Sequence, residues 1–118
     1  MDLSLYFNEE KAGLVILRYD ETLCEIMSLT VSGIYPQSGS QLISSAVEDA
    51  KKHDSERMIV VATNDNTNAL RFYPNTGFRL HKLRVGIVEE SRKMKPQIPL
   101  VGNYHIPIRD KIGLEMIL

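Results

Sequence analysis

The stretch Asn64–Phe78, NDNTNALRFYPNTGF, is where polar, aromatic and turn residues fall at mutually consistent spacings, and the rest of the chain can be placed around it. The run before it, Met58–Ala62 (MIVVA), has the length and branched composition of a buried strand. Thr63, Asn64 and Asp65 are turn and N-cap residue types, so a helix should start near Asn66. Ala69, Leu70, Phe72 and Tyr73 then form pairs three and four apart and give that helix one apolar face. Asn75, Thr76 and Gly77 stop it before a new strand at Phe78. The resulting unit is strand, short helix, Gly-Phe, strand.

The rest of the chain supplies more of the same layers. Leu3, Leu5 and Phe7 alternate with Ser4 and Tyr6 as a strand, Asn8 to Lys11 turn, and Ala12–Tyr19 completes a hairpin. Asp20 and Glu21 make a tight connection to a third strand, Thr22–Val31, too apolar on both faces for an edge. Gly33–Gly39 (GIYPQSG) reads as a loop, and Leu42, Ile43, Ala46, Val47 and Ala50 repeat at helical spacing from about Ser40 to His53. A strand over Phe78–Gly86 follows the central motif. A short helix over Val88–Lys95 is then ended by Pro96, an irregular connection carries Pro99 and Gly102, and Ile112–Leu118 is the closing strand. The chain contains no repeat or low-complexity linker, so residues 1–118 read as a single domain.

Composition narrows the function classes. With 25% charged residues and a formal net charge of -1, no chain-wide basic field exists for nucleic acid or an anionic membrane. Cys24 is the lone cysteine, which excludes an intrachain disulfide framework and fits a reducing compartment. Apolar runs are far shorter than the about 20 residues that span a bilayer, and Met1 is followed by an acidic residue rather than a basic leader. A cytoplasmic protein without nucleic-acid or membrane partners is the expectation. His53, His81 and His105 have no second ligand at metal spacing, so no metal is expected. Arg92, Lys93 and Lys95 read as a solvated face.

The central stretch resembles motif B of the GCN5-related N-acetyltransferase (GNAT) family: Asn, two residues, Ala, three residues, Tyr, three residues, Gly-Phe. Asn66, Ala69, Tyr73, Gly77 and Phe78 match it position by position, with the strand before and the helix within that the motif requires. The resemblance implies an α/β (α+β) GNAT-like acyl-CoA N-acyltransferase fold: a mixed, mostly antiparallel sheet flanked by helices. It runs from about Leu5 to the C-terminus and lacks the family's first strand and first two helices, which help close the acceptor side. An uncovered edge of this kind predicts a homodimer.

The implied reaction is acetyl transfer from acetyl-CoA to a primary amine, on a small molecule or a peptide, by direct attack in a ternary complex. It needs a neutral amine, a stabilised oxyanion and a proton for the leaving thiolate. The resemblance gives Tyr73 the role of proton donor; otherwise it is a packing residue of an amphipathic helix. Asn66 would face the pantetheine arm, cap the helix, or do both. Glu25, in the third strand, either takes the amine proton or stands in a salt bridge. Met27, Leu29 and Val31 fall in the family's splayed strand, whose free amides meet the thioester carbonyl and pantetheine. The alternative to an enzyme is a non-catalytic module that keeps the fold, binds CoA weakly, or acts by oligomerisation.

The phosphate loop of the family reads Arg or Gln, two residues, Gly, one residue, Gly or Ala, with the first Leu of the helix three positions on. Here Gly39 fits the last small residue and Leu42 the Leu, which puts Gln37 where the first Gly belongs and Ile34 where Arg or Gln is expected. Ser38, Gly39, Ser40 and Gln41 can still direct amides at a pyrophosphate, but Pro36 has none to give and Gln37 adds a side chain where the backbone must come close. The expected outcome is acetyl-CoA binding at about tens of micromolar or weaker, tightened about tenfold by Gln37→Gly with Pro36→Arg. Calorimetry on the two proteins measures both.

Overall fold

The computed structural model describes the backbone of residues 2–7, 13–31 and 38–118 and the side chains of residues 13–31 and 39–118. Its elements run β1 (Asp2–Phe7), β2 (Gly13–Asp20), β3 (Leu23–Val31), α1 (Ser38–Lys52), β4 (Arg57–Thr63), α2 (Thr67–Asn75), β5 (Arg79–Arg84), α3 (Ile87–Met94), a 3-10 turn (Asn103–His105) and β6 (Lys111–Ile117). Hydrogen bonding orders the strands β1-β2-β3-β4-β6-β5. The β1–β2, β2–β3 and β5–β6 pairs are antiparallel and β3–β4 is parallel, so the sheet is mixed and mostly antiparallel, as the sequence predicts. Among the described residues, no helix is long and apolar enough to cross a membrane.

The chain divides into two compact units, residues 1–60 with 116–118 and residues 61–115. In the first, β2 alternates buried Val15, Leu17 and Tyr19 with half-buried neighbours, the period-two signature of a strand with one covered face. The cover is α1. Its Leu42, Ile43, Ala46 and Ala50 are buried, matching the helical spacing in the sequence, and Met58 and Val60 of β4 complete the core with Cys24 and Ile26 of β3. Lys51 and Lys52 close α1, where cations suit the dipole, and no acidic residue stands in its first turn. The helix begins at Ser38, two residues before the predicted start, so Ser38 and Gly39 belong to its first turn. The predicted turn at Asn8 to Lys11 and most of the Gly33–Gly39 loop, Gln37 included, lie outside the described residues.

One backbone detail bears on the site. Ile16 pairs with Ser28 and Leu17 with Ile26, which leaves Met27 as an extra residue: a β-bulge in β3. The parallel register with β4 ends at Ile26↔Val60.

In the second unit, Ala62, Tyr73, Phe78, Val88 and Leu114 form the buried set. The strand predicted from Phe78 starts at Arg79 instead, because Phe78 belongs to the end of α2, as shown below. The 3-10 turn places two consecutive non-glycine residues, Tyr104 (φ 57°) and His105 (φ 60°), in the left-handed region, a strained conformation for a bulky side chain.

Gly13 sets how closely α1 approaches β2. A β-carbon there would stand 2.7 Å from Leu42 Cδ1 and 2.9 Å from the Thr30 carbonyl oxygen, and the second neighbour is backbone and cannot swing aside. Gly13→Ala is therefore expected to destabilise the protein by about 1–3 kcal/mol, the usual range for overpacking, seen as a lower urea midpoint at unchanged slope.

Candidate active site

Helix α2 carries the motif, and the motif residues turn out to be the fastenings of its two ends. Asn66 is the N-cap: its side-chain oxygen accepts from the Ala69 amide at 3.1 Å, filling one of the donors a helix start leaves open. At the other end, the Gly77 amide donates to the Pro74 carbonyl (3.2 Å) and the Phe78 amide to the Tyr73 carbonyl (3.1 Å). This pair of bonds is a Schellman cap. It needs a left-handed residue between them, and Gly77 supplies it at φ 108°. The hydrophobic contact that accompanies such a cap is present too, as the Phe78 ring packs edge-on against Tyr73 with centroids 5.4 Å apart.

Tyr73 is 6% exposed and also meets Phe72 edge-on at 5.1 Å. Burial pushes its phenol up to about 12, so it is fully protonated at neutral pH and holds a proton to give. The structure shows the packing role raised by the sequence, with Tyr73 buried between Phe72 and Phe78. Pro74 does not break the helix: it sits exposed in the last turn and α2 continues through Asn75. The carbonyl of Tyr73 is held from the other side by the Thr76 amide (3.0 Å) and hydroxyl (2.8 Å).

The residues just before α2 do work that their turn-forming type does not announce. Asn64 donates to the Pro107 carbonyl (2.8 Å) and accepts from the amides of Arg109 (2.9 Å) and Asp110 (3.0 Å). Asp65, buried, accepts from the Thr63 hydroxyl (2.6 Å) and the Asn103 amide (3.0 Å). Burial pushes its carboxyl up, but the bonds from Thr63, from Asn103 and from its own amide outweigh that and hold it below its ordinary value. A β-carbon at Gly102 would collide with Asp65 Oδ2, so the close approach depends on glycine. Arg92 completes the clamp by donating to the carbonyls of Ile98 (3.3 Å), Pro99 (2.7 Å) and Ile108 (2.6 Å). The reading of Arg92 as part of a solvated face is corrected here: three carbonyls of an irregular connection have no ladder partner, and a planar guanidinium satisfies them. No spacing in the sequence signals these contacts.

In the first unit, the salt-bridge alternative for Glu25 is realised, with Arg18 Nη2 donating to its Oε1 at 2.6 Å across the directly opposed β2–β3 pair. Met27 is the bulged residue and half-exposed; Leu29 and Val31 follow it beyond the end of the β4 register, where amides directed away from β2 have no β4 partner. Gly39 is buried, Ser40 and Gln41 are exposed, and the first-turn amides of α1 have no intrahelical acceptor. Tyr19 donates to Asp49, and His53 stacks on the Tyr19 ring (4.0 Å) with Nδ1 2.9 Å from the Asp49 carbonyl. Burial and the Asp49 bond push the Tyr19 phenol up. Burial also pushes the Cys24 thiol up to about 11, so it is no nucleophile at neutral pH. Among the described residues no group of three metal-ligating side chains converges.

No family model matches the sequence. The uncharacterized protein YxbD of Bacillus subtilis is 40% identical over 102 residues, 86% of this chain and 64% of that protein. YdhI of the same organism, also uncharacterized, is 35% identical over 109 residues, covering 92% of this chain and 68% of its own length. Among solved structures, a GNAT family acetyltransferase from Elizabethkingia anophelis with acetyl-CoA bound superposes with a TM-score of 0.79 at 23% identity, over 96% of this chain and 72% of that one. The chain belongs to the family of YdhI and has the GNAT acetyltransferase fold.

In GNAT terms, the end fastenings of α2 are motif B itself, which explains why five scattered residues identify the fold. The chain spans about two thirds of the length of these relatives.

Tyr73 offers a direct check. A group whose folded pKa is raised above its unfolded value stabilises the fold fully below the unfolded pKa and loses that contribution as pH rises through the folded one. For Tyr73 the window runs from 10.0 to about 12. Ultraviolet titration of the protein against Tyr73→Phe should show the missing phenol ionising near the top of that window, and the stability difference between the two proteins should change across it.

Proposed function

We propose that this chain transfers an acetyl group from acetyl-CoA to a primary amine, on a small molecule or a peptide, by direct attack in a ternary complex. The observation that carries the reading is Tyr73: a buried phenol fixed in place by a Schellman cap, on the helix that follows β4. The GNAT fold and the acetyl-CoA bound in the Elizabethkingia protein support it. The first-turn amides of Ser38, Gly39, Ser40 and Gln41 take the pyrophosphate, which the absence of acidic residues in that turn permits. Those amides of Met27–Val31 that point away from β2, beyond the end of the β4 register, receive the thioester carbonyl and pantetheine. Asn66 caps α2 and lies beside the pantetheine arm.

The amine attacks the thioester carbonyl, its lone pair forming the new carbon–nitrogen bond, and the carbon–sulfur bond breaks to release a thiolate. Tyr73 gives that thiolate its proton. Glu25, whose Oε1 accepts from Arg18, receives the proton the amine sheds.

Tyr73→Phe is expected to lower turnover by about one to three orders of magnitude with CoA affinity nearly unchanged, the pattern of a lost general acid. Equal turnover in the variant removes Tyr73 from the chemistry. Absence of turnover in the natural protein, with CoA still bound, would favour a non-catalytic binding module.

A further inference from the structure

Strand β5 ends the strand order, pairs with β6 alone among the described residues, and is exposed at every position. Its register shows why it does not read as an ordinary strand. Leu80 pairs with Leu114 and Lys82 with Gly113, which makes His81 an inserted bulge residue, turned to Glu115 at 3.5 Å. Directly opposed residues share a face, and β6 alternates normally. Arg79, Lys82 and Arg84 therefore lie on the face of Glu115, Gly113 and Lys111, and Leu80 and Leu83 on the face of Leu114 and Ile112. Without the bulge, Leu80 and Leu83 would point to opposite sides.

The strand is thus two-faced. Leu80 and Leu83 are 68% and 60% exposed and, with Ile112 and the flanking His81 and Lys82, line an open groove of about 310 Å³. The other face presents Arg79, Lys82, Arg84 and Lys111 beside the single carboxylate of Glu115, a net basic set, with Gly113 leaving the space beside Lys82 unfilled. The outer backbone edge is a row of unpaired donors and acceptors between them.

Charge complementarity selects the occupant. A second copy pairing antiparallel through β5 with Leu80 opposite Leu83 sets Arg79 against Arg84 at both ends of the pairing, and like charges directly opposed are repulsive. We propose that β5 is a docking edge for an extended segment of another protein whose residues alternate acidic and apolar, added as the next strand with its apolar side in the Leu80–Leu83 groove and its carboxylates on the basic face.

The probe is a blocked peptide alternating valine and glutamate, long enough to span β5, titrated into the protein by calorimetry and by amide hydrogen exchange. Expected are saturable binding that weakens with salt, slowed exchange at Arg79–Arg84, and about tenfold or greater weakening in Lys82→Glu with Arg84→Glu. Leu83→Ser, which keeps the charges, should weaken it several-fold, and circular dichroism of each variant reports its folding. Equal affinity for the valine–lysine peptide, unaltered exchange in β5, a homodimer in sedimentation that excludes the peptide, or preference for phosphatidylserine vesicles over the peptide would each overturn the proposal.

Discussion

The bond from the Phe78 amide to the Tyr73 carbonyl is the constraint on which the arrangement of the second unit depends. It fixes where α2 stops, and so fixes the turn of the helix on which Tyr73 stands. The same bond brings the Phe78 ring onto Tyr73, which buries the phenol and raises its proton affinity. Gly77 makes it possible, because a side chain at φ 108° would meet the strain that L-residues avoid in this region. Local backbone chemistry and the acid–base property of one side chain are therefore set by a single capping motif. Asn66 does the equivalent work at the helix start.

A second constraint is the need of an irregular connection for hydrogen-bond partners. Residues 96–110 contain a 3-10 turn and one isolated bridge, Val101↔Pro107, and so leave backbone groups without a ladder. Asn64, Asp65 and Arg92 fill that need with seven side-chain bonds to backbone groups of residues 98–110. A carboxylate bonded in this way stays ionised more readily, which gives Asp65 a stabilising role that fades only in acid, as pH falls through its lowered pKa. The residues that end β4 thereby also hold the chain that returns to β6.

In the first unit, two features serve the proposed reading, one for the thioester and one for the pyrophosphate. One is the bulge at Met27 and the end of the parallel register at Ile26↔Val60; the other is a helix start without acidic residues. Regular pairing would consume the amides that the proposed chemistry uses. The free edge of β5 follows the same logic with a different outcome, since its bulge sorts leucines from basic residues and leaves the backbone edge open.

The sequence by itself determined the order and type of the elements, because apolar period and turn chemistry are local: α1, α2, α3 and the strands lie within a few residues of where spacing puts them. It determined the start and stop of α2 as well, since Asn66 and Gly77 act on neighbours in the chain, although its pattern put Phe78 in the next strand rather than in the cap. It left Tyr73 and Glu25 each with two readings. Tertiary structure decided that Tyr73 is buried and that Glu25 is paired with Arg18, because burial and cross-strand register depend on residues far along the chain. It alone assigned Arg92 to three carbonyls, which no residue spacing encodes. It alone revealed the basic face of β5 as well: a net charge of -1 sums over the whole chain, whereas a bulge and a strand register decide which charges stand side by side.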